Sequence, residues 1–365
     1  MIYGNLILNQ KIWNQLNTMI QNNTLPHALI FHGNEGTGKE AHAIEFAALL
    51  NSNGQENYKE KIKSFQHPNI NLIIPLPREK TIKKTASALN AISEKSLDSL
   101  IDMKKNKIKN PYSTIQFSKA SNILINSIRD IKKTRISDHN GYMVHIIFEA
   151  EKLCYPKTEP GNALLKILEE PPKRTIFILI TSEKNKLLNT IQSRCCDFYF
   201  SKLHENEINK YLEIQNLNDN KYLDLIIKLS NNNMKNILQM IKLEDEINTL
   251  KDDAIQFIRN IINDQNWETS IKKIESLFKS KKEIFKIFIK LILFILNDLE
   301  KIRNKKNGCI VLTKFNKVKN LNYSKSIKIV EQYYLDLTKN LNPSIGLFSM
   351  AIEMKKGLYQ HEIIR

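Results

Sequence analysis

The octapeptide Gly33-Asn34-Glu35-Gly36-Thr37-Gly38-Lys39-Glu40 carries the glycines and the lysine of a loop that cradles phosphate. Gly33, Gly36 and Gly38 let backbone N–H groups converge on phosphate oxygens, and the Lys39 ammonium neutralises the outer phosphates. Phosphoryl chemistry then asks for a Ser or Thr hydroxyl on Mg²⁺ at the next position. Glu40 stands there instead, and a carboxylate set against polyphosphate repels it. Two readings stay open: a loop that still holds phosphate, and a loop kept for its turn geometry. The second element of such chemistry is a buried strand ending in Asp-Glu, whose carboxylates hold the metal and orient water. Val144-His145-Ile146-Ile147-Phe148-Glu149 matches it, with Glu149 in place and Phe148 at the metal-binding position. An aromatic ring offers magnesium no ligand. Glu40 and Phe148 are independent departures that both remove metal contacts, so hydrolysis is not expected.

These residues need elements to position them. His27-Ala28-Leu29-Ile30-Phe31-His32 is a short apolar run that ends in Gly33, the pattern of a buried strand entering a glycine turn. Ala41, Ile44, Ala47, Ala48 and Leu49 suit a packed helix over residues 39–50, which completes a strand–loop–helix unit. Further strands are expected at 70–74, 143–148, 175–181 and 196–200. Helices are expected at 11–22, 120–133 and 162–169, the last stopped by Pro171-Pro172, with a loop and a surface helix within 78–109. His145, on a core strand, reads as a packed histidine. Strands alternating with helices predict an α/β fold with a parallel sheet covered on both faces. Beyond Leu203 almost everything has helical periodicity. The expected domains are 1–203, a small helical one at 204–250 and an all-α one at 251–365.

Composition narrows the function classes. The 365 residues exceed one ordinary domain, and 42% hydrophobic content argues against general disorder. Lys and Arg outnumber Asp and Glu by 55 to 38, a net charge of +17 that suits a polyanion partner. A Lys-rich coding bias produces the same balance without one. Cys154, Cys195, Cys196 and Cys309 form no C-x-x-C pair, so neither a disulfide framework nor a zinc site is expected. Reduced thiols and a cytoplasmic location are expected instead. Residues 1–10 show no signal peptide pattern. The greasiest stretch, 284–296, is interrupted by Lys286 and Lys290 and is too short to span a bilayer, so no membrane partner is expected.

The motifs in order carry a resemblance. Pro26-His27-Ala28-Leu29, the altered phosphate loop, His67-Pro68-Asn69, the stretch 146–152, Asn162-Ala163-Leu164-Leu165-Lys166, Leu168-Glu169-Glu170-Pro171-Pro172 and Ser193-Arg194-Cys195 together resemble the bacterial clamp-loader AAA+ family of DNA polymerase III. The likeness spans residues 1 to about 200 and is nearest to the delta-prime type. It implies an AAA+ P-loop domain, then a helical lid and a helical collar. It implies that Arg194 is an arginine finger acting in trans on a neighbour's ATP. It also implies a hetero-oligomer with motor and delta subunits, a sliding clamp and primed DNA as partners. No cofactor is expected beyond, at most, ATP held at Gly33, Gly36, Gly38 and Lys39 without hydrolysis. The chain departs from many relatives in having no cysteine in 51–66, where they carry a zinc module. Lys235 falls where an arginine that contacts nucleotide is usual. The rival readings are an ATP-hydrolysing motor subunit of the same family and, further off, a P-loop nucleoside kinase.

Overall fold

A computed structural model describes residues 1–52, 58–134, 141–280, 282–312, 319–337 and 343–359, with the side chains at 276–283 and 343–344 left undescribed. The span 51–66, read above for its lack of cysteine, thus lies in part outside the described residues. The chain divides into two compact units, one of residues 1–215 with 232–236, the other of 216–231 with 237–365. A lid of its own over 204–250 stays a proposal.

The first unit is built on five parallel strands, β1 (Ala28–Gly33), β2 (Ile70–Ile73), β3 (Met143–Ile147), β4 (Thr175–Thr181) and β5 (Cys196–Phe200). Their order across the sheet is β2-β3-β4-β1-β5. Ala28 pairs with Phe177, Met143 with Thr175 and Leu29 with Cys196. Every residue of β3 and β4 is buried, with no alternation, which requires cover on both faces of the sheet. One face packs Leu29, Phe31, Val144, Ile146, Ile178 and Ile180 into one core cluster; the other packs Ala28, Ile30, Ile147, Phe177 and Leu179 into a second. This is the α/β architecture that the alternating pattern predicts.

The helices of this unit are α1 (Gln10–Gln21), α2 (Lys39–Leu50), α3 (Tyr58–Lys63), α4 (Glu94–Lys109), α5 (Ile125–Ile131), α6 (Glu159–Glu169), α7 (Asn189–Gln192) and α8 (Glu205–Ile214). The helix expected over 120–133 is shorter in the structure. The Ile123 N–H donates to the Lys152 carbonyl at 3.0 Å, so residues up to Leu124 are drawn into an extended path and α5 starts at Ile125. His145 is packed as expected: its ring stacks on Phe177 at 5.2 Å, and burial lowers its pKa to about 4.

The rest is helical: α9 (Leu223–Leu229), α10 (Met234–Ile241), α11 (Glu244–Asn263), α12 (Trp267–Ser280), α13 (Lys282–Arg303), α14 (Tyr323–Asp336) and α15 (Pro343–Tyr359). The apolar stretch 284–296 lies inside α13, with Phe285, Phe288, Ile289, Leu291, Ile292, Ile295 and Leu296 all buried in the second unit. Among the described residues no helix is long and apolar enough to cross a membrane.

Candidate functional site

β3, β4 and β1 are neighbours, so their carboxyl ends bring Glu149 and Glu151, Thr181 and Ser182, and the glycine loop to one rim of the sheet. Parallel α/β sheets place ligands at that rim. Gly36 and Gly38 take φ of +71° and +82°, left-handed values that a side chain disfavours. At Gly33 a Cβ would lie 2.2 Å from the Phe200 carbonyl oxygen, so the turn out of β1 needs glycine to clear β5. The loop thus has the conformation its glycines predict, and Gly38 opens α2.

Five of the charged groups at the rim, Lys39, Glu40, Lys107, Glu149 and Glu151, have partners within the chain. Lys39 is 6% exposed, and its Nζ donates to the carbonyls of Gly33 at 2.7 Å and Asn34 at 2.6 Å. Burial lowers its pKa to about 8, against the opposing pull of Glu40, Glu35 and Glu151. Glu40 lies in the first turn of α2, where the positive end of the helix favours a carboxylate. Its Oε2 takes a hydrogen bond from Lys107 Nζ at 2.5 Å. Glu149 sits in the left-handed region at φ +48°, a strained setting for a glutamate that costs on the order of 1 kcal/mol. It accepts hydrogen bonds from Gln116 and, at 2.7 Å, from Lys152; burial raises its pKa. Glu151 accepts from the Thr181 hydroxyl at 2.5 Å.

Phe148 is fully buried in the core, its N–H extending the β3 ladder to the Ile73 carbonyl at 2.9 Å. It does not line the cavity beside the loop. That cavity measures about 80 Å³, against roughly 300–1,000 Å³ for sites that enclose small ligands. Four glutamates (35, 40, 149 and 151) face three lysines (39, 107 and 235) across it. A carboxylate thus stands in place of the hydroxyl, a phenyl ring in place of the metal-binding carboxylate, and the lining carries one more carboxylate than ammonium group.

A family model described as "DNA polymerase III, delta subunit" matches residues 8–204, more than half of the chain. The chain belongs to that family. Among curated relatives, the DNA polymerase III subunit delta' of Bacillus subtilis is 26% identical over 62% of this chain and 57% of its own length. The delta' subunit of Buchnera aphidicola subsp. Baizongia pistaciae is 27% identical over 56% of this chain and 60% of its own. The tau subunit of B. subtilis is 29% identical over 65% of this chain but 34% of its own length. The chain therefore spans between a third and three-fifths of these relatives, and both delta' and tau types are similar to it.

The structure brings Gly36, Gly38 and Lys39 to one cavity, with Lys235 on its lining, and Gly33 at the turn that leads into it. Arg194 is elsewhere in this delta-family chain. It follows α7, where its guanidinium donates to the Thr190 carbonyl at 2.9 Å and to Glu169 at 3.0 Å. The residue that sequence reasoning missed is Lys107. It lies in a lysine-rich helix that reads as a solvated face. The available signal was its spacing of seven from Leu100, which puts both on the buried side of α4.

Proposed function

We propose that this chain is a clamp-loader subunit of the delta-prime type, which assembles with motor and delta subunits but turns over no ATP itself. The observation that carries this reading is the pairing of Glu40 with Lys107: the position that should offer magnesium a hydroxyl carries a carboxylate already committed to an internal cation. Phe148 in the core removes the other metal contact. In this reading the chain supplies Arg194 to ATP on a neighbouring subunit and helps place a sliding clamp on primed DNA. DNA is met through phosphates rather than bases, which the net charge of +17 favours. The likeness to tau-type subunits and the retention of Glu149 favour the rival reading, a hydrolysing motor subunit.

Steady-state ATPase separates the two. The purified chain is expected to show no magnesium-dependent turnover above background, with or without primed DNA. Turnover at the rate of a motor subunit, abolished by Lys39→Ala, would sink the non-hydrolysing reading.

A further inference from the structure

Lys107 is 2% exposed at its side chain, and all three hydrogens of its ammonium have acceptors: Glu40 Oε2 at 2.5 Å, the Ser113 carbonyl at 2.6 Å and the Pro111 carbonyl at 3.0 Å. A carboxylate with two carbonyls is an all-oxygen set of the kind that hard divalent ions prefer. Here an ammonium fills it. Burying a lone ammonium is costly, and the Glu40 carboxylate, itself 20% exposed at its side chain, supplies the counter-charge that makes the burial of Lys107 tolerable. Burial lowers the Lys107 pKa while Glu40 opposes the shift, and the nearby Lys235 adds to the lowering.

The partners are 67 positions apart and belong to different elements. Lys107 closes the last turn of α4, and the six residues 111–116 that follow form one wall of the cavity beside the loop. That wall is fastened at three points. Lys107 ties its start to Glu40, the Tyr112 hydroxyl accepts the Ile7 N–H at 3.0 Å, and Gln116 donates to Glu149. In a working nucleotide site the first turn of the helix offers a neutral hydroxyl to a divalent ion that arrives with its phosphates. Here a carboxylate stands at that turn, and its counter-charge is part of the chain itself.

We propose that Lys107 is a built-in counter-cation, taking the place of a nucleotide-bound divalent ion and holding the wall 111–116 closed on the phosphate loop in the absence of nucleotide. This rests on the reading of the site as non-hydrolysing. It adds that the loop is ordered by an internal ion pair and not by a ligand.

The test is thermal unfolding of the whole chain without nucleotide, so that its outcome is independent of any ATPase result. Wild type should melt at the same temperature with EDTA and with millimolar Mg²⁺. Lys107→Ala should melt roughly 5 °C or more lower than the control Lys105→Ala, whose side chain is 69% exposed. It should also recover part of that loss in Mg²⁺ or Mn²⁺, because Glu40 and the two carbonyls are left seeking a cation. Equal losses in the two variants would overturn the proposal. So would a Lys107→Ala loss that no divalent ion reduces, or a wild-type melting temperature raised by Mg²⁺. If Lys107→Ala does not fold, Glu40→Thr and Glu40→Thr/Lys107→Ala decide. The double variant should melt above the single, since it leaves no unpaired buried charge; a double variant that melts lower or does not fold would overturn the counter-cation role.

Discussion

Arg194 is held by contacts weak enough to exchange. Its ion pair with Glu169 has side chains 35% and 46% exposed, and pairs so wet contribute on the order of 1 kcal/mol or less. A phosphate group meeting both arms of the guanidinium is a stronger partner. If Arg194 acts as the trans-acting finger proposed above, Arg194→Ala should leave folding and complex assembly intact and lower the DNA-stimulated ATPase and clamp loading of the reconstituted complex. Arginine fingers elsewhere contribute roughly 10³ to 10⁵ in rate, and the drop should be smaller where other subunits keep their own fingers. Arg194→Lys should restore it only in part, because an ammonium lacks the planar fork. Unchanged ATPase in a complex of normal stoichiometry would show that Arg194 is no finger. Two buried histidines give a separate expectation. His42 donates from Nδ1 to the Gly38 carbonyl at 2.8 Å and accepts the Asn9 N–H at Nε2, also at 2.8 Å, so a second proton would face an N–H. Burial lowers the pKa of His42, like that of His145, to about 4. Above pH 6.5 both folded and unfolded chains carry neutral rings, and the stability is fully present. Between 6.5 and 4 the unfolded chain takes up protons that the folded chain refuses, so stability falls, by on the order of 3 kcal/mol per histidine. Urea unfolding at pH 7 and pH 5 measures this, and the difference should shrink in His42→Gln; a flat profile would contradict it.

Among elements, α13 shows how a buried carboxylate is held by backbone N–H groups. Asp298 is fully buried, and its carboxylate accepts the N–H groups of Ile310, Val311 and Leu312 at 2.9, 2.6 and 3.0 Å. The segment after Gly308 is thereby pinned back onto the helix. Asp298→Ala would leave three N–H groups without an acceptor and should lower the unfolding free energy by about 3 kcal/mol or more. Denaturant titration reads it directly, and a loss under about 0.5 kcal/mol would mean that water replaces the carboxylate. The same accounting explains the shortened α5. Its apolar spacing extends back to Ala120, but the Ile123 N–H is taken by the Lys152 carbonyl, and a backbone group spent across elements is not available to a helix.

For the whole molecule, the family match covers residues 8–204, within the first unit, while the helices of the second unit are placed by their own packing. The +17 charge belongs to the entire chain and favours any polyanion, so it selects a class of partner and not a sequence. The four cysteines are free thiols, and no group of three or more metal-binding side chains occurs among the described residues. Elemental analysis of the purified chain is accordingly expected to find far less than one zinc per molecule. Stoichiometric zinc, lost with unfolding on chelation, would contradict this.

The phosphate loop, the parallel sheet and the place of Glu149 were all readable in the chain, because each is a local pattern: an apolar run, a glycine at a turn, a helix start. The same held for Phe148, whose side chain rules out a metal contact wherever it points. What no local pattern carried was the fate of Glu40. Its partner Lys107 is 67 positions away, in a helix that looks solvated, and only the packing of α4 against the start of α2 brings the two charges to 2.5 Å. Nor could spacing show that Arg194 rests on Glu169, 25 positions earlier, since that contact requires α6 and α7 to lie side by side. The sequence by itself determined which metal-binding side chains are missing, Glu40 standing for a hydroxyl and Phe148 for a carboxylate. The tertiary structure decided which partner Glu40 has, because the partner of a charge is chosen by which elements meet and not by which residues are neighbours in the chain.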